Sequence, residues 1–202
     1  MLNKLLLASS NQGKLTEFLT MSPSATLHAS PLNLALLEDF AALPAFDESA
    51  PTFAENAAGK ALHYSQFTDF PVLADDSGLV VPALNGAPGV RSARYAGPNA
   101  TSAERNAKLL EEMKIFTGDQ RQAHFVCAIA VAQKNRAIVI ITAKSAGEIL
   151  TAPRGTQGFG YDPIFYIKAL AKSFAELTPT EKNQQSHRGK AFHKLALVVA
   201  GL

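Results

Sequence analysis

The stretch Val72-Leu-Ala-Asp-Asp-Ser-Gly-Leu-Val-Val81 limits what this chain can fold into more than any other. Val72–Ala74 and Leu79–Val81 read as two buried strand pieces around a break, with Asp-Ser-Gly supplying a turn between them. Adjacent carboxylates repel, and burial raises the cost of ionising both, so a pair at an apolar strand end calls for a cation or a chemical task. Successive strand residues face opposite sides, so Asp75 and Asp76 are expected to diverge. On its own the stretch fits a solvated turn as well as it fits catalysis or metal binding.

With 202 residues the chain suits one domain, or one compact two-lobed unit, with a sizeable core. Its net charge of +2, with both signs scattered, leaves no broad nucleic-acid footprint. The single cysteine, Cys127, sits in the apolar run His124-Phe-Val-Cys-Ala-Ile-Ala-Val131 and reads as a buried structural thiol. The histidines and this cysteine form no cluster with metal-ligand spacing. No segment reaches the roughly 20 apolar residues of a membrane span. The start, Met1–Ala8, is too short for a signal-peptide core, so a cytoplasmic setting with no membrane or nucleic-acid partner is expected.

In chain order, Lys4–Ala8 reads as a strand, Ser9-Ser-Asn-Gln-Gly-Lys14 as a polar loop and Leu15–Met21 as a helix. A small-residue loop between strand and helix is a phosphate cradle in many folds, because its amides point outward. It is equally a plain polar connection, since Ala8 stands where a Walker motif has its first glycine and no GxGxxG is present. Residues 22–46 hold Pro23, Pro31 and Pro44 and predict loops with one short strand. Thr52-Phe-Ala-Glu55 opens a helix to about Phe67, with Lys60 inside its apolar stripe, either snorkelling or facing an anion. Thr101-Ser-Ala-Glu104 opens another, running to about Lys114. Between them, Pro82–Asn99 is a long connection without predicted helix or strand.

Gln122–Gln133 and Ala137–Lys144 predict two long strands joined at Lys134-Asn-Arg136, apolar enough for a sheet covered on both faces, and Gly147–Leu150 predicts a short further strand. Gly158-Phe-Gly-Tyr-Asp-Pro163 sets two aromatics and an acid on a glycine-rich turn, suited to a flat ring or to tucking under the loop. Thr178-Pro-Thr-Glu181 is a third capping box. The final helix is expected to bury Phe192, Leu195, Val199 and Leu202, with His187 and Arg188 in its first turn, where cations oppose the helix dipole unless an acceptor arrives.

Six segments, in order, resemble the inosine triphosphate pyrophosphatase family: Ser9–Lys14, Thr52–Lys60, Ala74–Leu79, Gly86-Ala-Pro-Gly89 with Ser92–Tyr95, Gly158–Pro163, and Ala175–Lys182 running on to Ser186-His-Arg-Gly189. One departure is Ser9-Ser10-Asn11, where the family often has Thr-Gly-Asn. The resemblance implies an α/β fold, an elongated mixed β-sheet flanked by helices, in two lobes with the cleft between them, over 1–202 without a linker and as a homodimer. It implies Mg2+-dependent hydrolysis of ITP, dITP and XTP to monophosphate and pyrophosphate.

Carried over by motif, Ser9, Ser10, Asn11, Gln12, Gly13, Lys14 and Lys60 hold the triphosphate, and Glu48 and Asp76 are the metal acids, Asp76 also being catalytic. Ser77 contacts the ligand, while Phe159, Gly160, Tyr161, Asp162, Lys182, His187 and Arg188 shape the base and sugar end. Donors at His187 and Arg188 suit a purine 6-oxo group, which accepts, and clash with the 6-amino group of adenine. The rival expectations are a nucleotide-binding module without turnover, and a pyrophosphatase of related fold acting on modified pyrimidine nucleotides.

Overall fold

A computed structural model describes residues 4–21 and 32–200. The loop expected over 22–31 and the burial expected of Leu202 lie outside the described residues. The elements are β1 (Lys4–Leu7), α1 (Gln12–Met21), β2 (Asn33–Leu36), α2 (Phe53–Tyr64), β3 (Val72–Val80), α3 (Ser102–Glu112), β4 (Gln122–Gln133), β5 (Arg136–Ile149), β6 (Phe165–Ile167), β7 (Lys172–Ser173), α4 (Pro179–Gln185) and α5 (His187–Ala200). The strands form one open mixed sheet in the order β2-β1-β3-β4-β5-β6-β7. β1 is parallel to β2 and β3, whereas β6 is antiparallel to β5 and β7. The chain divides into two compact units, residues 1–76, 127–143 and 187–202 in the first, 77–126 and 144–186 in the second.

In the first unit the two-residue period of the strands sorts the core into two layers. Leu5, Leu7, Leu73, Cys127, Ile129 and Val131 pack with Phe18 of α1 and with Phe192 and Leu195 of α5. The alternate residues Leu6, Ala8, Val72, Ala74, Ala128, Ala130 and Ala132 pack with Ala57, Ala61 and Tyr64 of α2. The same alternation carries past Ala74, so Asp75 falls on the α1 and α5 side and Asp76 on the α2 side. Cys127 is buried in this core, and burial pushes its thiol well above the usual range, as expected of a structural cysteine.

In the second unit Phe125, Phe165 and Phe174 pack ring on ring, with centroids 4.6–5.7 Å apart, beside Leu79, Leu109, Met113 and Ile149. The Arg121 guanidinium donates to the carbonyls of Met113, Phe116, Ile149 and Leu150 at 2.6–3.1 Å, tying the end of the α3 segment to the end of β5.

Helix starts follow the capping residues. Thr101 with Glu104 and Thr178 with Glu181 make complete capping boxes, and Thr52 accepts from the Glu55 amide. β4 and β5 meet at Lys134-Asn135, both at positive φ, the two-residue turn whose twist matches a hairpin. β4 is covered on both faces, but Ile138 and Ile140 of β5 are exposed, so the expectation of full cover fails for that strand. Gly147–Leu150 adds no separate strand, because β5 runs on to Ile149.

The largest difference from expectation lies in Val72–Val81. There is no break: β3 runs as one nine-residue strand through both aspartates, Ser77 and Gly78. Gly78 is needed for space, since a Cβ there would sit 2.4 Å from Ser92 Oγ and 2.6 Å from the Gly89 carbonyl oxygen. Ser92 Oγ fills that space by accepting from the Leu79 amide and donating to Gly89. Gly78→Ala is therefore expected to lower stability by about 1–3 kcal/mol, the cost of overpacking. Urea denaturation checks this, and an unchanged midpoint would mean the contact relaxes freely.

Candidate active site

The first unit brings Lys14, Glu17, Glu48, Asn56, Lys60, Asp75, Asp76 and Arg188 into one charge network. Asp75 is fully buried, with Lys14 Nζ at 3.0 Å and Arg188 Nε at 3.7 Å from its Oδ2. Burial alone would raise its pKa, but Lys14, Arg188 and Lys60 together hold the carboxyl below the usual range, so it stays ionised. Arg188 is 3% exposed, pairs with Glu17 and lies 5.8 Å from the centre of the Phe18 ring. Burial works against its charge, while Glu17 and Asp75 more than compensate and raise its pKa.

Asp76 points the other way and meets Asn56. Asn56 is completely buried in the second turn of α2, and its amide nitrogen donates to Asp76 Oδ2 at 2.9 Å. The same side chain accepts from the Ala50 amide at 2.9 Å and donates to the Ala50 carbonyl at 3.3 Å. Asn56 thus fixes both the Asp76 carboxylate and the segment that carries Glu48. Glu48 Oε1 accepts from Lys60 Nζ at 2.6 Å, so Lys60 faces an acid and does not merely snorkel. Burial opposes the Lys60 charge, but Glu48, Asp75 and Asp76 raise its pKa overall.

Burial pushes the Asp76 carboxyl up to about 6; Glu48 and Asp75 add to this, while Lys14 and the Asn56 hydrogen bond oppose it. The network as a whole holds three cations (Lys14, Lys60, Arg188) and four acids (Glu17, Glu48, Asp75, Asp76), one negative charge in excess when all are ionised. A proton or a cation at Asp76 relieves that excess. Glu48 and Asp76 offer oxygen donors of the kind a hard divalent cation takes, and such a cation needs only one or two carboxylates beside its waters. Among the described residues no group of three or more His, Cys, Asp or Glu could hold a metal, which excludes a closed structural cage there.

At the start of α1, Asn11 Oδ1 accepts from the Lys14 amide at 3.1 Å and Ser9 Oγ accepts from the Asn11 amide at 3.2 Å. Ser9 is buried, whereas Ser10, Asn11 and Gln12 are exposed beside Gly13, in the strand–loop–helix arrangement that suits an anion.

The second unit assembles a different set. Asp162 Oδ2 accepts from Lys182 Nζ at 2.5 Å and from the Phe159 amide at 2.8 Å, and Lys182 Nζ lies 5.0 Å from the centre of the Phe159 ring. Gly158 at φ 77° makes this possible, because a Cβ would sit 2.1 Å from Asp162 Oδ2. Gly160 at φ 64° completes the turn. Ser77 is half-buried on β3. Tyr161 differs from expectation: its ring is buried in the core of this unit and its hydroxyl donates to the Ser92 carbonyl at 2.9 Å, so its side chain holds the loop in place.

His187 and Arg188 belong to the first unit, where both are buried at the start of α5. Sequence reading missed Glu17 and Asn56. Glu17 lies three residues after Lys14, hence on one helix face with it, and Asn56 is a polar residue on the border of an apolar stripe; each is a weak signal without its partner.

The raised pKa of Asp76 carries a stability consequence. The folded state binds this proton more tightly than the unfolded chain, so the protein gives up stability as pH rises from about 4 through 6. Asp76→Asn is expected to be about 2–3 kcal/mol more stable than the parent at pH 8 and equal to it near pH 4. Thermal or urea unfolding at the two pH values measures the difference, and a variant less stable at pH 8 would refute the reading.

The chain is 46% identical over 194 residues to the dITP/XTP pyrophosphatase of Geobacillus kaustophilus, covering 96% of this chain and 93% of that protein. Among solved structures it is similar to a HAM1 protein from Coxiella burnetii, with a TM-score of 0.86 and 42% identity over the whole of both chains. The Ham1 protein of Staphylococcus aureus is also similar, with a TM-score of 0.84 and 36% identity over 98% of each chain. Residues 5–198 match the Ham1 family, and the chain belongs to it.

Proposed function

We propose that this protein hydrolyses nonstandard purine nucleoside triphosphates (dITP, XTP and ITP) to the monophosphate and pyrophosphate. The observation that carries this reading is the split aspartate pair: Asp75 held ionised by two cations, Asp76 poised with a pKa of about 6 beside Glu48 and Asn56. A carboxyl poised near the working pH suits work on an attacking water, and a pure binding module gains nothing from acids beside phosphates. The Geobacillus relative is a dITP/XTP pyrophosphatase, which supports the substrate class.

Glu48 and Asp76 would hold a divalent cation, Mg2+ in this reading, which when bound neutralises triphosphate charge and polarises the phosphoryl oxygens. The loop Ser9–Asn11, the first turn of α1 (Gln12, Gly13, Lys14) and Lys60 grip the phosphates; Lys60 exchanges Glu48 for phosphate oxygens as nucleotide enters. Asp76, oriented by Asn56, accepts a hydrogen bond from the attacking water. The water gives its proton to the Asp76 carboxylate as its oxygen bonds to the α-phosphorus, the α–β anhydride bond breaks, and pyrophosphate leaves with its charge offset by Lys14 and Lys60; Asp76 then returns the proton to solvent. Phe159 offers a ring face to the base, with Gly160, Asp162, Lys182 and Ser77 of the same unit around it. A homodimer and a cytoplasmic setting belong to the same proposal. A single, buried cysteine supports the second. Among the described residues no helix is long and apolar enough to cross a membrane.

Pyrophosphate release from ITP, dITP, XTP, ATP, GTP and a modified deoxyuridine triphosphate, each with Mg2+, tests the proposal. Preference for the first three supports it, preference for the pyrimidine overturns the purine assignment, and no release overturns the enzyme. Asp76→Asn should cut kcat by at least about a hundredfold while remaining folded. Phe159→Ala should raise KM by about ten- to a hundredfold, the worth of one base–aromatic stack, with a smaller change in kcat. Equal loss of both parameters would place the ring elsewhere.

A further inference from the structure

In the first unit, residues 43–52 form an irregular strap that leads into α2, and Glu48 sits in its middle. A segment without ladder hydrogen bonds keeps its position only through contacts to its neighbours, and α2 supplies them at both ends. The Asn56 bonds to Ala50 hold one end. At the other, His63 Nε2 lies 2.7 Å from the Pro44 carbonyl oxygen. A carbonyl only accepts, so this ring nitrogen carries the proton and donates it. The Tyr64 hydroxyl accepts from the Phe46 amide at 3.4 Å. The Phe46 ring rests on Gly59, where a Cβ would come within 2.6 Å of its Cζ. Its centre is 5.7 Å from that of the His63 ring, which also meets Tyr64 at 4.8 Å and Phe67 at 5.5 Å. Glycine inside a helix costs stability relative to alanine, and the room it leaves for Phe46 explains Gly59. Asn56, Gly59 and His63 follow one another at three- and four-residue spacing, so one helix face holds both ends of the strap.

We propose that His63 is a positioning residue for Glu48: with Phe46 seated on Gly59, it latches the far end of the strap and holds the Glu48 carboxylate where it shares a divalent cation with Asp76. The inference rests on the assignment of Glu48 and Asp76 to that cation. Glu48 lies between the two anchors, Phe46 before it and Ala50 after it. With Asn56 alone, the stretch before Ala50 can swing about that residue and carry the carboxylate away. The ion pair with Lys60 does not replace the latch, because in the proposed cycle Lys60 turns to the phosphates and Glu48 must keep its place without it. The latch uses none of the side chains that grip phosphate, so it persists through that exchange. An imidazole suits the task because it fills the slot among Phe46, Tyr64 and Phe67 and still donates to Pro44. Support of this kind around a metal ligand sets the geometry in which the ligand is offered.

The test is a titration of isotope-labelled full-length protein with Mn2+ alone, read as paramagnetic broadening of the Asn56 side-chain amide signals beside Asp76. His63→Ala is expected to raise the midpoint about tenfold, the usual worth of a group that holds a metal ligand in place. His63→Gln keeps an N–H donor and should recover most of that loss. In pyrophosphate release, His63→Ala should raise the Mg2+ half-saturation by a similar factor, with kcat at saturating Mg2+ within about twofold of the parent's, a split that general loss of structure does not give. Phe46→Ala, in the strap and outside α2, should raise the Mn2+ midpoint likewise; it carries the test if His63→Ala does not fold. A parent-like midpoint in folded His63→Ala or in Phe46→Ala, or no recovery in His63→Gln, would overturn the latch alone. A parent protein whose signals millimolar Mn2+ does not broaden would overturn the cation assignment and the latch with it. Failure of the hydrolase reading would show as absent pyrophosphate release and leave the Mn2+ midpoints unaffected.

Discussion

The buried Asp75 carboxylate is the constraint on which the first unit depends. It is fully enclosed on β3 and pairs with Lys14 of α1 and Arg188 of α5. An ion this deep is tolerated only when it is neutralised in place, and removing one member of such a pair costs about 3–5 kcal/mol. The requirement fixes both helices against the sheet at the point where the Ser9–Asn11 loop enters α1. It explains why Glu17 is needed as well: Arg188 is buried too, and Asp75 alone would leave its charge only partly matched.

Asp76 inherits its chemistry from this arrangement. Lys14 lies in contact with Asp75 and lowers the Asp76 pKa only in part, so burial, with Glu48 and Asp75 adding to it, prevails over Lys14 and the Asn56 hydrogen bond. Two residues that are chemically identical and adjacent in the chain therefore hold different protonation behaviour. The cause is strand geometry, which sends one side chain to the face with the cations and the other to the α2 face. The small residues of that layer, Ala57, Ala61, Ala74 and Ala128, let α2 pack close to the sheet, with Asn56 against the carboxylate.

Much of the fold was legible in local patterns. Capping boxes at Thr101 and Thr178, Pro179 in the first helical position and the apolar alternation of β1 and β4 act over a few residues, so their signals survive in the linear chain. The divergence of Asp75 and Asp76 was legible for the same reason. Gly78 misled because Asp-Ser-Gly is turn chemistry in isolation, whereas here the glycine answers a steric demand made by Ser92 and Gly89 from another part of the chain. Tyr161 misled in the same way, since an aromatic on a glycine-rich turn reads as ligand-facing until Ser92 and the core of its unit claim it.

The amino-acid sequence by itself determined the periodicities, the caps, the six family-like segments and the identity of the acids and lysines, all properties of residue type and short spacing. Only the tertiary structure decided which acid stays ionised and which is poised near 6, that Lys60 meets Glu48, that Arg188 joins Asp75 and Glu17, and that β3 runs unbroken past Gly78. The physical reason is that charge, desolvation and steric fit act through space, between groups up to 171 positions apart in the chain, and no local pattern encodes their sum.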